Sequence, residues 1–210
     1  GSFYQLLGKD RYLQPLVSSF KGVKPPRFPT IFETLVNAIA CQQVTLDLGI
    51  ALLNKLVEKY GKKFEDMNTT QYSFPEPEVL VNASEQDIKD VGFSHQKART
   101  IIAVSKLFVN DRELFEDREA ASNKEIINRL MEIKGIGRWS AEYVLLRGLG
   151  RIDTFPGDDV GAQKNLMLLM DLDHRPGYEE IRKLTKPWKP YAGFVYFHLL
   201  LDTLQKKNLL

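Results

Sequence analysis

A single cysteine, Cys41, stands in the 210 residues, so no disulfide framework forms within the chain. No run of 18 or more apolar residues occurs, which excludes a membrane-spanning helix. No signal peptide is visible at the start, and the chain reads as intracellular: cytoplasm or nucleoid in a bacterium, nucleus in a eukaryote. The three histidines have no partner at metal-ligand spacing. Strand signals are also missing, since no apolar alternation persists and no Asn-Gly-type turn joins β-rich runs. Neither an internal repeat nor a low-complexity tract is present. The net charge of +2 is too small to argue for a polyanionic partner, so any basic footprint must come from local arrangement.

What is present is 43% hydrophobic content, enough for a real core in one sizeable domain or two small, intimately packed ones. About ten helices with short loops are expected. Asp10 to Phe20 carries Leu13, Leu16, Val17 and Phe20 at helical spacing. Thr30-Ile31-Phe32-Glu33 reads as a capping box opening a helix to about Cys41, with Phe32, Leu35, Val36 and Ile39 on one face. Thr45 caps the next helix, which ends near Tyr60 with Gly61 beyond it. Lys62 to Phe74 reads as a polar loop. Short helices follow over 76–82 and from Ser84 to Gly92, and a longer one, capped by Ser94, runs from His95 to about Val109 with Ala98, Ile101, Ile102 and Leu107 inward. His95, Lys97 and Arg99 at its start form a solvated face. Ser122-Asn123-Lys124-Glu125 is a second capping box. Helices over 160–170 and 178–184 precede a last one, from Tyr191 to about Gln205, that is apolar almost all round and is expected to be deeply buried.

The stretch that organises the rest is Ile133-Lys134-Gly135-Ile136-Gly137-Arg138-Trp139-Ser140-Ala141. Two glycines one residue apart join two helical runs, and glycine adopts positive φ without a steric penalty. The second helix starts with free N–H groups and a dipole that attract an anion. With Lys134 and Arg138 alongside, the natural anion is a nucleic-acid phosphate.

Gly135 to Ala141, then Leu145-Leu146-Arg147-Gly148-Leu149-Gly150, then Asp153-Thr154-Phe155-Pro156-Gly157-Asp158-Asp159, resemble the helix-hairpin-helix (HhH-GPD) DNA glycosylase superfamily, and most of all its alkylpurine branch, the 3-methyladenine DNA glycosylase II type. The hairpin alone is common among DNA-binding proteins. An aspartate 22 positions past the second glycine makes the match much more specific, and the likeness runs from about Asp10 to Leu201. It implies an all-α, two-lobed fold with the active site in the inter-lobe cleft: one lobe about 30–115, the other about 3–29 plus 116–210 with the hairpin 131–139. The chain opens Gly1-Ser2 without a methionine, which reads as a cloning scar. Since the branch often carries a further N-terminal domain, a segment ahead of Phe3 is expected.

The resemblance also implies a chemistry. Cleaving the bond between base and deoxyribose builds oxocarbenium-like positive charge on the sugar, as in glycoside hydrolysis, and an ionised carboxylate beside it stabilises that charge. The matching position is Asp159, before the apolar Val160, rather than Asp158. Asp159 steadies the cation, orients the attacking water, or both; a helix cap is the plain alternative for either aspartate. Strand-cleaving relatives carry a lysine nucleophile where this chain has Trp139, so a monofunctional hydrolase leaving an abasic site is expected.

The base must leave the duplex, and the matching pocket residues are Trp139, Tyr143 and Phe197, whose aromatic faces suit a cationic 3-methyladenine or 7-methylguanine. Large rings on buried helices are otherwise core. The family's second aromatic after the aspartate is here Val160, which leaves the substrate range open. Gln43 falls where the family pushes a side chain into the DNA stack; the alternative is that Gln42 and Gln43 tie up backbone at a corner. The backbone carbonyls of Met131, Ile133 and Ile136 match a site for a monovalent cation, Na+ or K+, and Lys134, Gly135, Gly137 and Arg138 the phosphate grip. No cofactor is required. Some relatives hold a four-cysteine iron–sulfur cluster, which one cysteine excludes. The expected partner is duplex DNA with a damaged base, engaged by a monomer. The alternatives are the same fold acting on a deaminated or oxidised base, and a non-catalytic DNA-binding module.

Overall fold

The computed structural model describes residues 2–66, 69–110 and 121–209. Among these, twelve α-helices run in order: α1 Ser2–Leu7, α2 Gln14–Ser19, α3 Ile31–Cys41, α4 Leu46–Tyr60, α5 Pro77–Leu80, α6 Glu85–Val91, α7 His95–Asn110, α8 Asn123–Met131, α9 Arg138–Arg147, α10 Val160–Met170, α11 Tyr178–Leu184 and α12 Ala192–Lys206. The class is all-α. None of these helices is long and apolar enough to cross a membrane.

One feature corrects the expectation of no strand. Lys63–Asp66 (β1) and Thr69–Tyr72 (β2) pair antiparallel, with Lys63 opposite Tyr72 and Asp66 opposite Thr69. The pair lies within the stretch read as a polar loop. Phe64 is 47% exposed and Lys62 sits over its ring, so the ladder buries little and leaves no inward-outward alternation to read. Strand preference comes instead from Thr69, Thr70 and Tyr72.

The chain forms two compact units, one from Phe28 to Val144, the other from the segment up to Arg27 with that from Leu145 onward. The boundary expected near 115 lies outside the described residues. The hairpin belongs with 28–144 rather than with the terminal segments, because hydrogen bonds described below tie it to α7 and to the end of α3.

In the 28–144 unit, α3 contributes Phe32, Leu35, Val36 and Ile39, all at most 3% exposed, to a core shared with Leu52 and Leu56 of α4 and Ala98, Ile101 and Val104 of α7. Thr30 Oγ1 accepts the Glu33 N–H at 3.0 Å, starting α3 as expected. The expected reciprocal half does not form. Burial of Glu33 raises its pKa. Full capping boxes form at Ser84–Asp87 and Ser122–Glu125. Gly61 ends α4 in extended conformation, at φ −75. Glycine is needed there for room, since a Cβ would lie 2.2 Å from Ser73 O.

The second unit packs Leu13, Leu16, Leu146, Phe155, Leu166, Ile181, Trp188, Val195 and Leu199 into one cluster. Asp10 holds its edges together: Oδ2 accepts the Trp188 indole N–H at 2.8 Å, and Oδ1 accepts the Tyr12 N–H at 2.9 Å. The first half of α12 is buried, as expected, but from Leu200 onward its residues are half-buried or exposed.

His198 of α12 is 1% exposed and packs against the rings of Phe3 and Phe20. Its Nδ1 donates to Phe194 O at 2.8 Å, and its buried Nε2 makes no hydrogen bond of normal geometry among the described residues. Burial draws its pKa below the ordinary value, outweighing the backbone carbonyls of Phe194 and Phe20, which favour the charged form. The unfolded chain therefore takes up the proton before the folded one does. His198 costs no stability above its unfolded pKa of about 6.5 and destabilises as pH falls below that. We expect the melting midpoint to drop more steeply between pH 7.5 and 5 in the wild type than in His198→Phe; equal slopes would contradict this.

Candidate active site

Helix α8 closes at Met131, and the chain turns through Ile133 N–H to Leu130 O (3.2 Å) and Ile136 N–H to Ile133 O (2.9 Å) before Ala141 N–H reaches Gly137 O (3.1 Å) in α9. Buried Ile136, 5% exposed, pegs the hairpin down. The two glycines differ in role. Gly135 has φ +98, and a Cβ there would lie 2.1 Å from Thr100 Oγ1; Gly137 has no positive φ, and a Cβ on it would meet nothing within 4 Å. Gly135 is thus required by the fold, whereas Gly137 leaves backbone open to an approaching ligand.

Two side chains brace the turn. Thr100 Oγ1 lies 3.2 Å from Lys134 O and 2.9 Å from Gln96 O. Gln42 Nε2 donates to Gly135 O at 3.0 Å and to Ser140 Oγ at 2.9 Å. Lys134, Gly137 and Arg138 are exposed. Next to Gln42, exposed Gln43 adopts φ 52, a left-handed conformation that costs a non-glycine residue about 1–2 kcal/mol. Such strain persists where neighbours hold the backbone, and the Gln42 clamp supplies that hold.

Trp139 and Tyr143 lie one turn apart on α9, so they share a face. Their ring centroids are 5.5 Å apart at 33°, and Phe28 adds a third ring 6.3 Å from Tyr143. The Tyr143 hydroxyl donates to Asn37 Oδ1 at 3.3 Å. Both α9 rings are half-buried, a state that leaves ring surface for a ligand.

In the other unit, Asp159 is the N-cap of α10. Its Oδ1 accepts the Ala162 N–H at 2.7 Å and its Oδ2 accepts the Tyr196 hydroxyl at 2.9 Å. Gln163 secures the approach to the helix, with Nε2 on Gly157 O at 2.9 Å. Asp158 is exposed and Asp159 half-buried. Phe197 is 8% exposed, with the Arg147 guanidinium over its ring at 5.6 Å. Val160 is 51% exposed. Among the described residues, no group of three or more His, Cys, Asp or Glu side chains is placed to hold a metal ion.

Gln42, Thr100, Asn37, Arg147 and Tyr196 were not singled out as site residues by sequence reasoning. Gln42 sits in a doublet whose corner role was visible. Tyr196 gave no signal, because it reads as one more apolar residue of α12.

Comparison with known proteins identifies the family. The pattern of the HhH-GPD superfamily base excision DNA repair proteins matches residues 36–190. A DNA-3-methyladenine glycosylase of Bacillus subtilis is 28% identical over 197 residues, covering 94% of this chain and 65% of its own length. The chain thus spans just under two-thirds of that relative. Among solved structures, a 3-methyladenine DNA-glycosylase from Archaeoglobus fulgidus superposes with a TM-score of 0.86 at 26% identity, covering 100% of this chain and 70% of that one. A Clostridium acetobutylicum 8-oxoguanine glycosylase/lyase bound to duplex DNA reaches 0.85 at 21% identity, covering 99% and 70%. That likeness shows the shared fold alone.

Proposed function

Because the chain belongs to the HhH-GPD superfamily of base excision DNA repair proteins, we propose that it is a DNA glycosylase releasing alkylated purines, of the 3-methyladenine and 7-methylguanine type, from duplex DNA. The observation that carries this is the Asp159 carboxylate, held on both oxygens at the start of α10, 22 positions along the sequence from Gly137. A group that only capped the helix would need one oxygen. Held on both, the carboxylate is preorganised to oppose the charge that grows on the sugar as the glycosidic bond breaks.

The remaining roles follow from chemistry. The hairpin grips a phosphate through its backbone at Gly135 and Gly137, with Lys134 and Arg138 adding charge. Gln43, presented by its strained corner, fills the gap left by the extruded base. Trp139 and Tyr143 receive that base, their faces favouring a cation. Phe197 contributes shape more than cation binding, since a guanidinium already lies over its ring. The carbonyls of Met131, Ile133 and Ile136 hold a monovalent cation, Na+ or K+, that screens the phosphate. Ile133 O accepts one N–H and a carbonyl keeps a second lone pair, which leaves that oxygen able to ligate the ion. A monomer suffices for every step, and no other cofactor is needed.

Trp139 carries no amine, so no Schiff base forms there and the strand stays whole. Incubated with methylated duplex DNA, the protein is expected to leave strands intact until alkali converts abasic sites to breaks. Breaks before alkali would contradict the monofunctional reading. A second reading, a deaminated or oxidised base as substrate, is favoured by Val160. It is exposed where the alkylpurine branch has an aromatic ring, so this position offers no π-face to select a cationic base.

A further inference from the structure

We propose that Tyr196 is a positioning residue for the Asp159 carboxylate, an inference that rests on the catalytic reading of Asp159. A carboxylate tied only by its helix-cap bond keeps freedom about χ2, and its second oxygen sweeps an arc. Here the Oδ1 bond from the Ala162 N–H and the Oδ2 bond from the Tyr196 hydroxyl come from different helices, α10 and α12, which fixes the plane of the group.

The hydroxyl is itself set in place by backbone packing. Gly193 N–H donates to Ile152 O at 2.8 Å, and a Cβ on Gly193 would lie 2.5 Å from Leu146 Cδ1, 2.7 Å from Thr154 O and 2.9 Å from Ile152 O. Only a glycine lets α12 come this close to the 152–154 segment that leads to Asp159. Tyr196 follows one turn later, 8% exposed, with Phe155 edge-on to its ring at 5.4 Å and 79°. Its O–H is a donor without charge. It orients the carboxylate and leaves the negative charge in place to face a cationic transition state, whereas a lysine or arginine there would neutralise it.

The test is single-turnover and steady-state base release from methylated duplex DNA by the wild type, Tyr196→Phe, Asp159→Asn and the double variant. Loss of the hydroxyl is expected to lower kcat about tenfold. KM, affinity for abasic-site duplex and the melting midpoint stay unchanged. The double variant is expected to match Asp159→Asn, because the two groups act through one carboxylate. A Tyr196→Phe rate within twofold of the wild type overturns the proposal, as does a rise in KM at constant kcat. If Asp159→Asn is slow while Tyr196→Phe is not, positioning fails and the catalytic reading stands. If Asp159→Asn keeps the wild-type rate, the catalytic reading fails and the proposal falls with it.

Discussion

Asp159→Asn is expected to slow base release by about a thousandfold, the scale on which one preorganised electrostatic group acts. The substitution is nearly isosteric. Asparagine caps helices as well as aspartate does, so the bond from Ala162 N–H to the side-chain oxygen is retained and α10 still starts in the same place. What disappears is the negative charge. The ground state loses little, because an intact nucleotide carries no positive charge on its sugar. The transition state loses its counter-charge, and an interaction made only there appears in kcat rather than KM. DNA affinity is expected to hold, since the phosphate grip belongs to the hairpin of the 28–144 unit. A purely DNA-binding module would show no change in any property. Rates of free-base release, abasic-duplex affinity and thermal melts on the same preparations separate these outcomes.

Gly135→Ala is expected to have the largest effect on the hairpin. At φ +98 an alanine is strained, and its Cβ would collide with Thr100 Oγ1. Relief requires moving Thr100 or the turn, which breaks the Thr100–Lys134 contact and the Gln42 bond to Gly135 O. Strain and lost bonds together come to about 3 kcal/mol, and we expect both the stability of the 28–144 unit and DNA affinity to fall. Gly137→Ala is the informative partner. With open space around it, it leaves the melting midpoint unchanged. It weakens DNA binding by about tenfold, because the added methyl stands where a phosphate must approach the backbone. Equal losses of stability at the two positions would contradict the assignment of Gly137 to the ligand side.

Which parts of this were legible in the sequence follows from how each is stabilised. The inward face of α3 and the Ser122–Glu125 box depend on neighbours in the chain, and local spacing revealed them. The hairpin was legible because its turn demands glycine, although only Gly135 needs it for conformation. The β1–β2 pair was not, since exposed strands carry no burial pattern. Glu33 shows that a correct motif can form only half its bonds in the fold. The assignment of the hairpin to the 28–144 unit depends on Gln42 and Thr100, 93 and 34 residues from their carbonyl partners, and no local rule reaches that far. Tyr196 is the clearest case: on an almost wholly apolar helix, nothing marks which ring carries the hydroxyl that bonds Asp159. The reading of Asp159 rests on hairpin and aspartate occurring together; either alone has a plainer explanation.

The most direct test of the account is chromatography of the bases set free when this protein acts on methylated duplex DNA, beside duplexes carrying deaminated or oxidised bases. The account predicts free 3-methyladenine and 7-methylguanine from the first, and far less release from the others. Release from the deaminated or oxidised duplex alone, or from none of the three, would contradict it.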